Sequence, residues 1–220
     1  MSRVIAIHNS TDLAANIAEA VSILLTGGVA LYPTDTTYAL AANALDEKAV
    51  DRVFQLKGRD YSKPIHVIVR DMEQAARYVA VSDIAYLLAD KFLPGALTLV
   101  LPLLENSPIP PLLISGGKTL GIRIPDHPIC KALSAALDFP VTTTSANRSR
   151  MPNTYSVESV QEQLGSDFDL IALTLDAGGL DSNGVSTVIA IDDDAVKLIR
   201  DGAIPFSTVI DFLAQNGRKV

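Results

Sequence analysis

Val29-Ala-Leu-Tyr32-Pro-Thr-Asp-Thr-Thr-Tyr38-Ala-Leu40 is the stretch on which the reading of this chain turns. Its first four residues are apolar or aromatic and follow Gly27-Gly28, a pair that stops a helix, so they read as a buried strand. Pro33 ends that strand because it brings no N–H to a ladder. Hydroxyls and a carboxylate then dominate residues 34 to 38. Two readings are open. One is a strand-to-helix turn in which Thr and Asp cap the next helix. The other is a polar wall that hydrogen-bonds a small ligand.

On either side of it, apolar residues at helical spacing predict helices over Asp12–Leu25 before this stretch and Asp46–Lys57 after it. Further strands are expected at Ile65–Val69, Leu97–Leu101, Leu120–Ile124, Val141–Thr144, near Leu170–Leu175, Ser186–Ile191 and Val196–Ile199. Helices are expected near Met72–Tyr78 and over Ser82–Phe92, Pro128–Leu137, Val157–Leu164 and Ser207–Gln215. Strands and helices interleave, which predicts one layered α/β (mixed α+β) domain over residues 1–220, with functional groups on loops at strand ends. Glu105–Lys118 holds three prolines and two glycines and reads as a loop or lid.

Composition narrows the classes. The 220 residues are 48% hydrophobic, enough for a sizeable core, and with 5% aromatics and no Trp that core must be aliphatic. No run of about 18 apolar residues escapes charge or proline, so no membrane helix is expected, and Met1–His8 lacks a signal peptide's apolar stretch. The single cysteine, Cys130, rules out an internal disulfide framework. Together these predict a cytoplasmic protein. The net charge of −7 argues against a general nucleic-acid binder, yet permits a local basic pocket.

Several cations stand where anions could be held. Lys57 and Arg59 end a helix, with Lys63 close behind; such cations either complement the helix dipole or gather around a polyphosphate. Arg123 lies in an apolar strand between Ile122 and Ile124, so by alternation it points away from both. A buried Arg there needs a protein carboxylate or an anionic ligand. Hydroxyls open two other strand ends, in Thr142-Thr-Thr-Ser-Ala-Asn147 and, after Asn183-Gly184, in Ser186-Thr187, and Arg200-Asp-Gly202 adds a cation at a turn. No Gly-x-x-x-x-Gly-Lys phosphate loop, Gly-x-Gly-x-x-Gly or Gly-x-Ser-x-Gly elbow occurs. His8, His66 and His127 lack zinc-site spacing, so no metal site is expected. His66 and a buried Cys130 read as structural, and His127 as part of a helix-entry turn.

In order and spacing, these segments resemble the YrdC family, the threonylcarbamoyl-AMP synthases. The resemblance is carried by residues 32–40, by Lys57-Gly-Arg59 with Lys63-Pro64, and by Pro94-Gly-Ala-Leu-Thr98. Residues 121–128, Ser145-Ala-Asn147, Ser186-Thr-Val188 and Arg200-Asp-Gly202 continue it. It implies a twisted mixed sheet flanked by helices around a concave basic cleft. It also implies a nucleotidyltransferase that joins L-threonine, bicarbonate and ATP, with Mg²⁺ on the nucleotide, for N6-threonylcarbamoylation of adenosine 37 in tRNA. By position, Thr36, Arg123, Ser145 and Ser186 would contact threonine. Lys57, Arg59, Lys63, Thr119, Asn147, Tyr155 and Arg200 would contact the nucleotide, with Lys57 and Arg59 the catalytic cations. A threonylcarbamoyl transferase would be the partner, with tRNA or duplex RNA a further contact.

Ala39 and Ala41 stand where the family usually has Gly, Asp60 where it often has Pro, Arg150 where it commonly has Gly, and Ile68 where some members have His. Residues 32–40 are also similar to the YciO branch, and with Ala39, Ala41 and Arg150 this implies an alternative: an enzyme acting on modified tRNA or another carbamoyl adenylate. An RNA-binding module is the remaining reading.

Overall fold

The computed structural model describes residues 2–7, 12–182, 184–193 and 195–218. His8 and Asn183 lie outside them. The mixed α/β class expected from the sequence is what forms, with the strands shared between two sheets rather than one. The first sheet contains β1 (Arg3–Ala6), β2 (Ala30–Pro33), β3 (Tyr38–Ala41), β8 (Thr144–Ser145) and β9 (Leu173–Asp176), in the order β1-β9-β2-β3-β8. The second contains β4 (Val67–Ile68), β5 (Leu97–Pro102), β6 (Thr119–Arg123), β7 (Val141–Thr142), β10 (Thr187–Asp192) and β11 (Ala195–Arg200). Its order is β11-β10-β5-β6-β4-β7, and both sheets mix parallel and antiparallel pairs.

Residues 34–37 are neither a strand-to-helix turn nor a helix cap. Pro33 pairs with Tyr38 and Ala30 with Ala41, so β2 and β3 form an antiparallel hairpin with the polar residues at its tip. Thr34 makes that tip possible. Its hydroxyl accepts the N–H groups of Thr36 and Thr37, each at 3.1 Å, and donates to the Thr37 carbonyl at 2.7 Å. A Thr side chain competing for local backbone groups favours a turn over a helix start. The helix follows only at α2 (Glu47–Lys57), capped by the Asp46 carboxylate and closed by Gly58 in the left-handed region (φ 55°). Gly accepts that backbone at no steric cost.

All eight residues of β2 and β3 are buried, because this sheet has a core on each face. Leu31, Tyr38 and Leu40 belong to the larger core, together with α2 and much of the second sheet. Ala30, Tyr32, Ala39 and Ala41 belong to a smaller core against α1 (Leu13–Leu25) and α5 (Pro128–Ala135). Cys130 is buried there, its thiol donating to the Pro33 carbonyl, as expected of an inert buried cysteine. His127 caps α5, its Nδ1 accepting the Ile129 N–H.

Residues 141–145 do not form one strand. β7 lies in the second sheet and β8 in the first, and the chain crosses between them at Thr143. The Thr143 N–H donates to the His66 carbonyl at 2.8 Å at this crossing. Residues 105–118 are likewise no free lid. Ile109, Leu113 and Ile114 are buried in the larger core, and the Leu113 carbonyl accepts the Ile65 N–H. The prolines set the turns, but three buried aliphatic side chains anchor the segment. Among the described residues no helix is long and apolar enough to cross a membrane.

Candidate active site

Two adjoining cavities open where the chain passes between the sheets. The smaller, of about 150 Å³, has the hairpin tip on one side, through Thr34, Thr36 and Thr37. Thr143, Thr144 and Ser145 of the crossing segment line it, as do Thr98 of β5 and Ser186 just before β10. Arg59, Arg123 and Arg200 bring three guanidiniums to the same space. The larger cavity, of about 350 Å³, is lined by residues 57–60, Lys63, Ser145, Asn147, Ser149 and Arg150. Arg59 and Ser145 face both.

Arg123 answers the question its strand position raised. Its guanidinium donates to Asp35 Oδ1 at 2.7 Å, to Thr36 Oγ1 at 2.9 Å and to the Gly95 carbonyl at 3.1 Å. Its buried charge therefore has a protein carboxylate, and the Arg also draws Thr36 into place. Arg200 donates twice to the Ser186 carbonyl and once to its hydroxyl, which in turn lies 2.9 Å from the Thr98 hydroxyl. Gly202 permits this approach, since a Cβ there would sit 2.4 Å from the Val185 carbonyl oxygen.

Lys57 is buried, and its ammonium donates to the carbonyls of Ser145 and Asn147 and to Asn147 Oδ1. It thus ties the end of α2 to the Ser145-Ala-Asn147 segment at the wall of the larger cavity. Burial first, and the charge of Arg59 second, pull its pKa down from 10.5 to about 7. Asn147 is further fixed by the Ser145 hydroxyl at 2.5 Å and by donating to the Met151 carbonyl. Arg59 donates to the carbonyls of Lys63 and Pro64, so it shapes the loop on which Lys63 sits.

Thr36, Arg123, Ser145 and Ser186, expected together, do line one cavity, and Lys57, Arg59, Lys63 and Asn147 line the other. Arg200 faces the smaller cavity rather than the larger. Thr119 is exposed at the start of β6, and neither it nor Tyr155 lines either cavity. Ala39 lies on the wall of the smaller cavity, whereas Ala41 packs in the smaller core. Arg150 lines the larger cavity with φ 72°, a conformation uncommon for a residue with a Cβ. Reasoning from sequence missed Asp35, Thr98 and His66 in these roles. A polar Thr98 inside Leu-Thr-Leu-Val-Leu was the one local signal; the partner of Arg123 lay 88 residues away.

The family model Sua5_yciO_yrdC, described as telomere recombination, matches residues 22–202. The chain belongs to the Sua5/YciO/YrdC family. It is 38% identical over 182 residues to a putative threonylcarbamoyl-AMP synthase of Methanocaldococcus jannaschii, covering 83% of each chain. It is 35% identical over 189 residues to the threonylcarbamoyl-AMP synthase of Bacillus subtilis, covering 86% of this chain. It spans only about half of that relative's length, 54%. Among solved structures, P. abyssi Sua5 complexed with L-threonine superposes with a TM-score of 0.88 at 30% identity. That match covers 100% of this chain and 65% of the longer one. E. coli YciO superposes with a TM-score of 0.79 at 29% identity, covering 92% of this chain and 96% of YciO. The family's solved folds thus extend over the whole region that carries the two cavities.

Proposed function

We propose that this protein is a nucleotidyltransferase that makes L-threonylcarbamoyl-AMP and pyrophosphate from L-threonine, bicarbonate and ATP. The observation that carries the reading is the pairing of the cavities: a small one rich in hydroxyls and guanidiniums, open beside a larger one walled by cations. Thr36, Arg123, Ser145 and Ser186 would hold the amino acid. Lys63, Asn147 and Lys57 would surround the phosphates, with Arg59, which faces both cavities, between the two ligands and Arg200 on the amino-acid side. Similarity to the synthases and to the threonine-bound Sua5 supports the assignment.

In this reading a carbamate oxygen of N-carboxythreonine attacks the α-phosphorus of ATP, and pyrophosphate leaves with the electron pair of the broken P–O bond. Such a weak nucleophile gains most from alignment and from neutralisation of phosphate charge. No protein nucleophile is required, and the buried Cys130 is not one. Mg²⁺ would come with ATP, where Asp60 would face it and its charge would offset that of the phosphates. Among the described residues no group of three acidic, His or Cys side chains is placed to hold a metal, and the larger cavity offers one carboxylate, Asp60. That donor set suits Mg²⁺ bound chiefly by phosphates and water. The product would pass, in the cytoplasm, to a transferase that modifies tRNA.

The test is pyrophosphate release measured with ATP, bicarbonate and threonine, each omitted in turn. We expect release that depends on threonine and falls at least tenfold in Arg123→Ala. Release indifferent to threonine would end the proposal. A second reading, a YciO-like activity on modified tRNA, is favoured by the likeness to YciO and by Arg150 on the larger cavity. Restored tRNA modification in cells lacking their own synthase would count against it.

A further inference from the structure

His66 precedes β4 and lines the smaller cavity between the second sheet and the hairpin. Its ring rests on Gly121 of β6: a Cβ on that glycine would lie 2.4 Å from His66 Cδ2. The absence of a side chain at residue 121 is therefore what lets the imidazole occupy this place. Neither ring nitrogen has a hydrogen-bond partner among the described residues. Most hydroxyls around it are already engaged. Thr36 accepts from Arg123, Thr37 donates to the Thr154 carbonyl, Ser145 donates to Asn147, and Ser186 is held by Arg200.

The charges facing His66 share one sign. Arg59 approaches from beyond the end of α2, Arg123 from β6 and Arg200 from β11. The nearby carboxylate on the hairpin, Asp35, is spent on Arg123. Burial, and then these three cations, hold the imidazole neutral by pulling its pKa from 6.5 to about 4. A neutral imidazole has one free acceptor nitrogen and one N–H. An amino acid entering here meets guanidiniums suited to its carboxylate, but the same guanidiniums oppose its ammonium. Among the described residues, no Asp or Glu lines the cavity to offset that.

We propose that the His66 imidazole receives the amino group of the bound amino acid, accepting a hydrogen bond from its N–H and favouring the uncharged amine over the ammonium. The amine then keeps a lone pair, the form required of a nitrogen that must bond to carbon. Its excess proton is left in the solvent. His66 is thus a substrate-positioning residue, and the inference rests on the reading of this cavity as the amino-acid site.

Calorimetric titration decides it. L-Threonine and 3-hydroxybutyrate, in which a hydrogen replaces the amine, are titrated into wild type, His66→Leu and His66→Gln. Buffers of differing protonation enthalpy report proton release. For wild type we expect threonine binding with release of a proton near neutral pH. His66→Leu should bind threonine on the order of fivefold to tenfold more weakly, the loss expected for one hydrogen bond, while the hydroxy acid changes little. His66→Gln, which restores an acceptor oxygen, should recover part of the loss, and ATP binding should be unaffected. Equal weakening of both ligands would make His66 merely structural and overturn the inference, as would unchanged threonine affinity in His66→Leu. Absence of threonine binding by wild type would instead remove the functional reading beneath it.

Discussion

Lys57 shows how much of a site lies in what a side chain is tied to. Its position at the end of an amphipathic helix left it either a dipole complement or a cation for a polyphosphate, and no spacing could reveal that residues 145–147 would supply its acceptors. Arg123 was more legible, because a charge between two isoleucines needs a buried partner wherever it is found. Only the fold could name Asp35. The depressed pKa of Lys57 has a consequence for stability. Between about pH 7 and 10.5 the unfolded chain holds a proton that the folded chain gives up, so stability rises with pH across that window. Below about 7 both states are protonated and the cost of burying the ammonium is present in full. Denaturant unfolding of wild type and Lys57→Met should show this. Wild type gains relative to the variant between about pH 7 and 9, by at most ~1.4 kcal/mol per pH unit. A parallel pair of curves would show that the ammonium keeps its ordinary affinity for protons.

At the scale of elements, long periodic segments were readable and short ones were not. α2 and α4 (Asp83–Phe92) lie within a residue of their expected spans, because apolar spacing and side-chain caps agree there. β3 was hidden, since the polar run before it resembles a helix cap and its own Tyr-Ala-Leu-Ala has no alternation when both faces are buried. β1 went unseen as an edge strand with mostly exposed residues. The expected strand at 141–144 divides because Thr142 bonds across the second sheet while Thr144 bonds to β3. The Arg200-Asp-Gly202 turn gives a test at this scale. A methyl at residue 202 would meet backbone of Val185, Ser186 and Thr187 at 2.4–2.6 Å, with no flexible side chain to yield. Gly202→Ala should cost about 1–3 kcal/mol, as overpacking does. It should also displace Ser186, so that thermal unfolding and threonine affinity both fall. A variant with wild-type melting would mean that the turn opens freely.

For the whole molecule, the net charge of −7 argued against a general nucleic-acid surface but said nothing of the cleft, where Arg59, Arg123 and Arg200 gather beside Lys57 and Lys63. Sequence order and spacing carried the fold class; the seam between two sheets could not be read, because it depends on pairings far apart in the chain. Ligands bound at that seam touch both sheets and should stabilise the fold as a unit. ATP at about a hundred times its Kd is worth ~2.7 kcal/mol, a rise in Tm on the order of 5–10 °C for a chain of this size. Scanning calorimetry with ATP and with threonine, singly and together, checks it, and an unmoved Tm with each would argue against binding there.

The hairpin of β2 and β3 bears on how this protein can change over time. With every one of its eight residues packed from both sides, a substitution that reshapes the cavity floor also disturbs a core. Drift toward a new substrate is thus channelled into the partly exposed rim, residues 60–64 and 149–153, which pack into neither core. Asp60 and Arg150 both lie on that rim. Divergence of activity among relatives with a common interior should therefore be sought first in those two short segments.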